Sequence, residues 1–223
     1  YVGSMVTDDF DELAHNARAW RQHYTKLSAG PFQGKMIQAN TPMLQLGSVH
    51  WRSSLLVTGA VPAGGRTFAL LPASGRAARV SGRVLENGTV GTRADRDELY
   101  FVNAPDTTMM VLSIEHGLLD RGLAMIFGSD WRELGGNSPI LRIKDADAAH
   151  AGLRRVLAAM CRHPEHLTRP ESSTTIEEQV LMALFSRLDL PAEQVGAEVG
   201  DVELAGAEEP RLEARAAGLP GSV

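Results

Sequence analysis

Cys161-x-His163-x-x-His166 is the densest run of potential metal ligands in the chain. Thiolate and imidazole together suit zinc, which wants four such ligands in a tetrahedron. The run sits at a helix end marked by Pro164 within it, and no fourth ligand stands nearby. The other histidines, His15, His23, His50, His116 and His150, are scattered. A metal enzyme built on strands would carry His-x-His, because alternate residues of a strand share a face and can aim two imidazoles at one ion. No His-x-His occurs, and His50 stands alone on its candidate strand. Nucleophilic chemistry has no better footing. There is no Gly-x-Ser-x-Gly elbow, and Cys161 beside Met160 ends an apolar helical stripe, where a lone cysteine packs rather than reacts. The glycines at 59, 64 and 65 and at 135 and 136 form neither Gly-x-Gly-x-x-Gly nor a Walker motif, and read as turns. Asp95-Arg-Asp-Glu98 reads as a solvated loop. The expectation is no catalytic residue, no metal and no cofactor.

Aromatic and polar residues on candidate strands remain: His50, Trp51, Arg52, Phe68 and Tyr100. A β-barrel interior holds a small ligand where aromatic walls meet a few polar groups, so these five are the candidate ligand-binding residues. The competing reading makes Trp51, Phe68 and Tyr100 plain core residues and Arg52 an exposed one.

The elements that would position them follow from periodicity. Phe10, Leu13, Ala14, Ala17, Trp20 and Tyr24 recur at three- and four-residue steps, which predicts a helix over about 8–26, with Thr7, Asp8 and Asp9 as cap candidates and Gly30-Pro31 as the stop. Strands are predicted at 35–39, 43–51, 55–61, 66–71, 80–86, 88–93, 98–102 and 108–115, divided by Pro, Gly and Asn turns. Asn87-Gly88 is the strongest hairpin signal. Helices are predicted at 117–128, 146–162 and 175–190, the last opened by a Thr174-x-x-Glu177 capping box. Residues 191–223, rich in Ala, Gly, Glu and Pro, read as a disordered tail whose removal at Pro191 leaves folding unchanged. This divides the chain into 8–115, 116–190 and 191–223. Tyr1-Val-Gly-Ser4 reads as a leader foreign to a protein starting at Met5.

Composition narrows the function classes. The 223 residues carry a formal charge of −5, and all of it sits in the tail: seven acids face Arg211 and Arg215 there, leaving 20 acidic and 20 basic residues before it. A neutral body is no nucleic-acid clamp. One cysteine allows no internal disulfide, which fits a cytoplasmic protein. No apolar run approaches the roughly 20 residues of a membrane span, and no signal peptide is visible.

Trp20-x-x-x-Tyr24-x-x-Leu27-x-x-Gly30-x-Phe32-x-Gly34 resembles the opening of the sensor region in AraC-type bacterial transcription regulators. Leu44-x-Leu46, Gly59-x-x-Pro62, Phe68-x-Leu-Leu-Pro72 and Ser81-Gly82-x-x-Leu85 follow in the same order. The resemblance spans about residues 8–190. It implies an α+β fold: a cupin-like β-barrel preceded by one helix and followed by a helical dimerisation segment. It implies a small-molecule effector, a homodimer, and DNA contacted only through a helix-turn-helix domain that this chain does not show after residue 190. The apolar stripe of the last two helices, with Leu153, Leu157, Val180, Leu181, Leu184 and Leu188, is the expected dimer interface. The alternatives are a stand-alone cupin-like binding or interaction protein and, disfavoured by the missing metal ligands, a cupin enzyme.

Overall fold

The computed structural model describes residues 1–17, 19–72, 75–95, 97–128 and 138–189; the expected tail at 191–223 lies outside them. In chain order the elements are β1 (Val2–Thr7), α1 (Phe10–Asn16), β2 (Arg21–Lys26), β3 (Gly34–Asn40), β4 (Leu44–Trp51), β5 (Leu55–Ala60), β6 (Gly65–Leu70), β7 (Ala78–Val80), β8 (Arg83–Leu85), β9 (Thr89–Ala94), β10 (Glu98–Val102), β11 (Thr107–Glu115), α2 (His116–Phe127), β12 (Ile140–Ile143), α3 (Ala146–Arg162), a short 3-10 turn (Pro164–His166), α4 (Pro170–Phe185) and β13 (Leu188–Asp189).

The strands form two sheets. The larger has the order β1-β3-β4-β11-β6-β9-β12-β13, the smaller β2-β5-β10-β7-β8. Among the described residues no strand of one sheet pairs with a strand of the other. The closed barrel expected from the sequence is therefore corrected to an open two-sheet sandwich, with the α+β class retained.

The larger sheet is buried on both faces, and β11 shows how. Met110, Leu112 and Ile114 join one apolar cluster with Leu119, Leu153, Val180, Leu184 and Phe185 of the three long helices. Their neighbours Met109 and Val111 join a second cluster with Tyr24, Val57 and Phe101 of the smaller sheet. Period-two alternation thus divides one strand between two cores. Phe68 faces the helices, where its ring meets Phe185 edge-on at 5.1 Å.

Two expectations need correction. The helix predicted over 8–26 ends at Asn16, and Arg21–Lys26 pairs instead with Leu55–Ala60. The four-residue step from Trp20 to Tyr24 suits a helix, but alternation places Gln22 and Tyr24 on one strand face, and the partner strand decides the matter. Val2, Gly3 and Ser4 of the segment read as a foreign leader are the first half of β1, which pairs with β3 over six residues. The strand predicted at 80–86 is a hairpin of β7 and β8 around Ser81 and Gly82, both at positive φ (47° and 77°), as a two-residue type I′ turn requires. Asn87-Gly88 does turn the chain, but from one sheet to the other.

The last helix starts at Pro170 rather than 175, with proline in its first turn, where its missing N–H costs nothing. Glu177 is therefore no capping-box partner. It is buried, and the Thr41 hydroxyl donates to its Oε1 at 2.5 Å, tying α4 to the β3–β4 turn. Thr41→Val leaves a buried carboxylate without that donor, so a loss of about 1–3 kcal/mol is expected in urea denaturation. His150 on α3 is also buried, with Nε2 lacking a protein partner. Burial lowers its pKa, Arg154 adds to that, and Asp147 opposes it. The unfolded chain then takes up a proton that the folded one resists. The neutral imidazole's contribution is present above the unfolded pKa of 6.5 and is lost as pH falls toward the lower folded value. His150→Leu should flatten the fall in urea midpoint between about pH 7.5 and about pH 5.5.

Candidate ligand cavity

The cavity lies between the two sheets, and the register of the larger sheet explains it. On the inner face one row runs Gln45–Ser113–Thr67–Arg93 across β4, β11, β6 and β9. Every member is polar. The next row, two residues along each strand, is Gln38–Gly47–Val111–Ala69–Gly91. Three of its five members have no side chain or only a methyl group. Then come Met36–Val49–Met109 and, beyond them, Trp51. The smaller sheet answers with the row Tyr24–Val57–Phe101–Val80.

Packed sheets stand roughly 10 Å apart, a gap that side chains normally fill. Gly47 and Ala69 leave it unfilled, whereas over Gly91 the Val80 and Leu85 side chains close in to 3.3 and 3.6 Å from where a Cβ would stand. The result is a cavity with about 90 Å³ of room for the centres of water-sized spheres, enough for several waters or one small organic molecule. Its wall is mainly apolar, with aromatics at one end: Trp51 lies 6.3 Å from Tyr24 and 5.8 Å from Phe101, ring centre to ring centre. Burial pushes the Tyr24 phenol above its ordinary range, the Trp51 indole acting weakly against it.

The other end is polar and mostly satisfied internally. Trp20 Nε1 donates to Gln45 Oε1 at 3.1 Å, Gln45 Nε2 to Gln38 Oε1 at 2.9 Å, and Gln38 Nε2 to the Asn16 carbonyl at 3.1 Å. The Thr67 and Ser113 hydroxyls share a hydrogen bond at 2.8 Å. Arg93 is the exception. It is 7% exposed, its Nη1 donates to the Thr92 carbonyl at 3.2 Å and its Nη2 to Ser81 Oγ, yet Nε is buried with no protein acceptor. Burial lowers its pKa, with Asp97 pulling the other way. Asp97 itself is engaged with the Ala94 N–H at 2.9 Å. Trp51 also lines the cavity, and its buried Nε1 has only the weak approach of the Tyr24 hydroxyl to answer it. Thr92 Oγ1 is unpartnered too, but Thr92 pairs with Phe68 and so turns to the helices.

The residues singled out from sequence are dispersed. Of the five, only Trp51 lines the cavity. His50 lies in register with Lys35 and Thr108, on the opposite face; its Nδ1 meets Thr108 Oγ1 at 3.0 Å and its Nε2 stands 3.5 Å from Asp106. Arg52 is exposed, Phe68 belongs to the helical core, and Tyr100 is 47% exposed. Leu153, Leu157, Val180, Leu181, Leu184 and Leu188 are all buried within their own subunit. His163 and His166 stack at 5.4 Å beside Glu165. Among the described residues no three His, Cys, Asp or Glu side chains are arranged so as to hold a metal ion.

The residues missed, Arg93, Gln38, Gln45, Thr67 and Ser113, carry a signal: each is polar at a position facing the interior of a strand-rich core. No known protein family and no curated protein matches the sequence. Solved structures do. One is the AraC-like transcriptional activator CuxR, 14% identical, with a TM-score of 0.54 over 88% of this chain and 74% of that one. The chain shares its fold with an AraC-like activator. Smaller proteins match in part: KdgF from Halomonas sp. at 16% identity (TM-score 0.30, 42% of this chain and 87% of that one) and a Cupin 2 conserved barrel protein from Salinispora arenicola at 12% (TM-score 0.22, 48% and 89%). No helix among the described residues is long and apolar enough to cross a membrane.

Proposed function

We propose that this chain is the effector-sensing part of a cytoplasmic transcription regulator, and that the effector is a small molecule held in the sandwich cavity. The observation that carries the reading is that cavity, placed in a fold shared with an AraC-like activator. The larger sheet supplies a route for the signal. Val111 borders the cavity while Met110 and Leu112, its neighbours on β11, pack against the helices. A ligand that prefers one setting of this strand shifts the population of helical arrangements, with coupling of about 1–3 kcal/mol. A homodimer, if formed through the helices, uses their outward side, where Met125 is 74% and Met182 50% exposed. DNA would be reached through a separate module.

Native mass spectrometry of the chain purified from cell extract tests this. The expected result is a bound small molecule of defined mass which, added back, raises Tm, shifts the fluorescence of Trp20 and Trp51, and is returned unaltered. Chemical turnover of that molecule would make the chain an enzyme, and a chain that takes up nothing from extract would remove the sensor reading.

A further inference from the structure

Arg93 is the charged side chain among the residues that line the cavity, and its Nε is a buried donor that no protein group accepts. Resting on the sensor reading above, the geometry points to an organic monoanion as the ligand: a carboxylate paired with Arg93, on a small apolar body lying over Val111 and Ala69.

The argument starts from the cost of Arg93. A guanidinium taken out of water without a counter-charge is destabilising, and proteins normally answer it with a carboxylate in contact. Two of its nitrogens do find neutral acceptors, the Thr92 carbonyl and the Ser81 hydroxyl. Neither carries charge. Asp97 acts on it only through space, its carboxylate being bonded to the Ala94 N–H. A carboxylate entering the cavity supplies both what Nε lacks and the missing charge, in the planar geometry that suits a guanidinium. The neighbouring polar side chains do not compete for this role: Thr67 and Ser113 bond each other, and Gln38 and Gln45 are joined in a chain.

The apolar body follows from the rows. Positions two apart on a strand are about 6.6 Å apart, so the open part of the next row, Gly47, Val111 and Ala69, lies one such step beyond the row of Arg93, and the Val49–Met109 row lies a second step on; over Gly91 the Val80 and Leu85 side chains already close in. A head at Arg93 therefore places a ring or short branched chain over the unfilled floor. A cavity of about 90 Å³ has room to enclose a single ring or a few carbons. A sugar, which brings many neutral hydroxyls, would meet a wall with few free partners.

The test uses the full chain and two pairs of probes, benzoate against benzyl alcohol and hexanoate against 1-hexanol, measured by calorimetry and by Trp fluorescence. At least one acid should bind 10-fold or more tightly than its alcohol. Arg93→Gln should abolish that preference and leave alcohol binding within about 2-fold, since only the charged pairing is lost. Arg93→Met should raise the apo Tm, because a residue kept for a ligand costs stability without one. Val111→Phe, which fills the floor, should remove acids and alcohols alike. If alcohols bind as well as acids, or Arg93→Gln keeps the preference, the anion assignment falls while the cavity stands. If acids bind but Val111→Phe does not affect them, the cavity is not their site. If none of the four probes binds, both readings fail for ligands of this size.

Discussion

Leu184→Glu is expected to unfold the chain, not to release a folded monomer. Leu184 is 0% exposed and sits among Leu44, Leu112, Leu153 and Phe185, between α4 and the larger sheet. Truncating such a residue alone costs roughly 2–5 kcal/mol. A carboxylate in its place adds the penalty of an unpaired buried charge, several kcal/mol more unless it takes up a proton. Domains are stable by only about 5–15 kcal/mol in total. Near-UV circular dichroism should therefore show lost tertiary structure or an insoluble product. Met182→Glu, two residues earlier and 50% exposed, is the comparison. It should fold, and if a dimer uses the outward side of the helices it is the substitution that yields a monomer in light scattering. A folded, monomeric Leu184→Glu would mean that the stripe is shared between subunits after all.

That stripe shows where sequence reading reached and where it stopped. The period of α3 identified the helix to the residue: 146–162 expected, Ala146–Arg162 found. What covers an apolar stripe is a tertiary question, and Ile176, Val180, Leu181, Leu184 and Phe185 on α4 fit a partner helix or a sheet equally well. The strands tell the same story. Those expected at 98–102 and 108–115 are β10 and β11 almost to the residue. β2 was lost because Trp20 and Tyr24 also satisfy a helical step, and β13, two residues long, pairs with β12 from the end of the helical segment and has no period of its own.

The candidate site was less legible, for a physical reason. A sheet with one wet face displays its phase as apolar-in, polar-out. Here both faces of the larger sheet are dry, so Phe68 and Trp51 look alike in sequence although one meets helices and the other a cavity. The phase is carried by small residues and misplaced polar ones. Gly47 and Ala69 align into a floor only when the register is known, and Arg93 in Val90-Gly-Thr-Arg-Ala94 reads as a surface charge until its strand is found between two others.

Val111→Phe is expected to cost the chain its ligand while leaving the fold intact. Val111 stands at the centre of the bare row, paired with Gly47 on β4 and Ala69 on β6, so neither neighbour on the sheet obstructs a larger side chain. Overpacking a filled core costs about 1–3 kcal/mol, but here the added ring enters space already open, and a change of less than about 1 kcal/mol is the expectation. A ligand displaced from its apolar floor loses at least the burial of a few carbons. About 2.7 kcal/mol corresponds to 100-fold weaker binding, and a loss of that order should appear in titration. Leu112→Phe separates filling from mere enlargement. One residue away, it points into the helical core, which has no such space, so it should lower Tm by several degrees and keep ligand affinity within about 3-fold. The reverse outcome, a stable Leu112→Phe without binding and a Val111→Phe that still responds, would place the ligand on the helical side of the sheet. The expected outcome leaves β11 as the shared wall: on one side it meets the ligand, and on the other it joins the cluster of α3 and α4 through which, on the proposed reading, occupancy would be passed on.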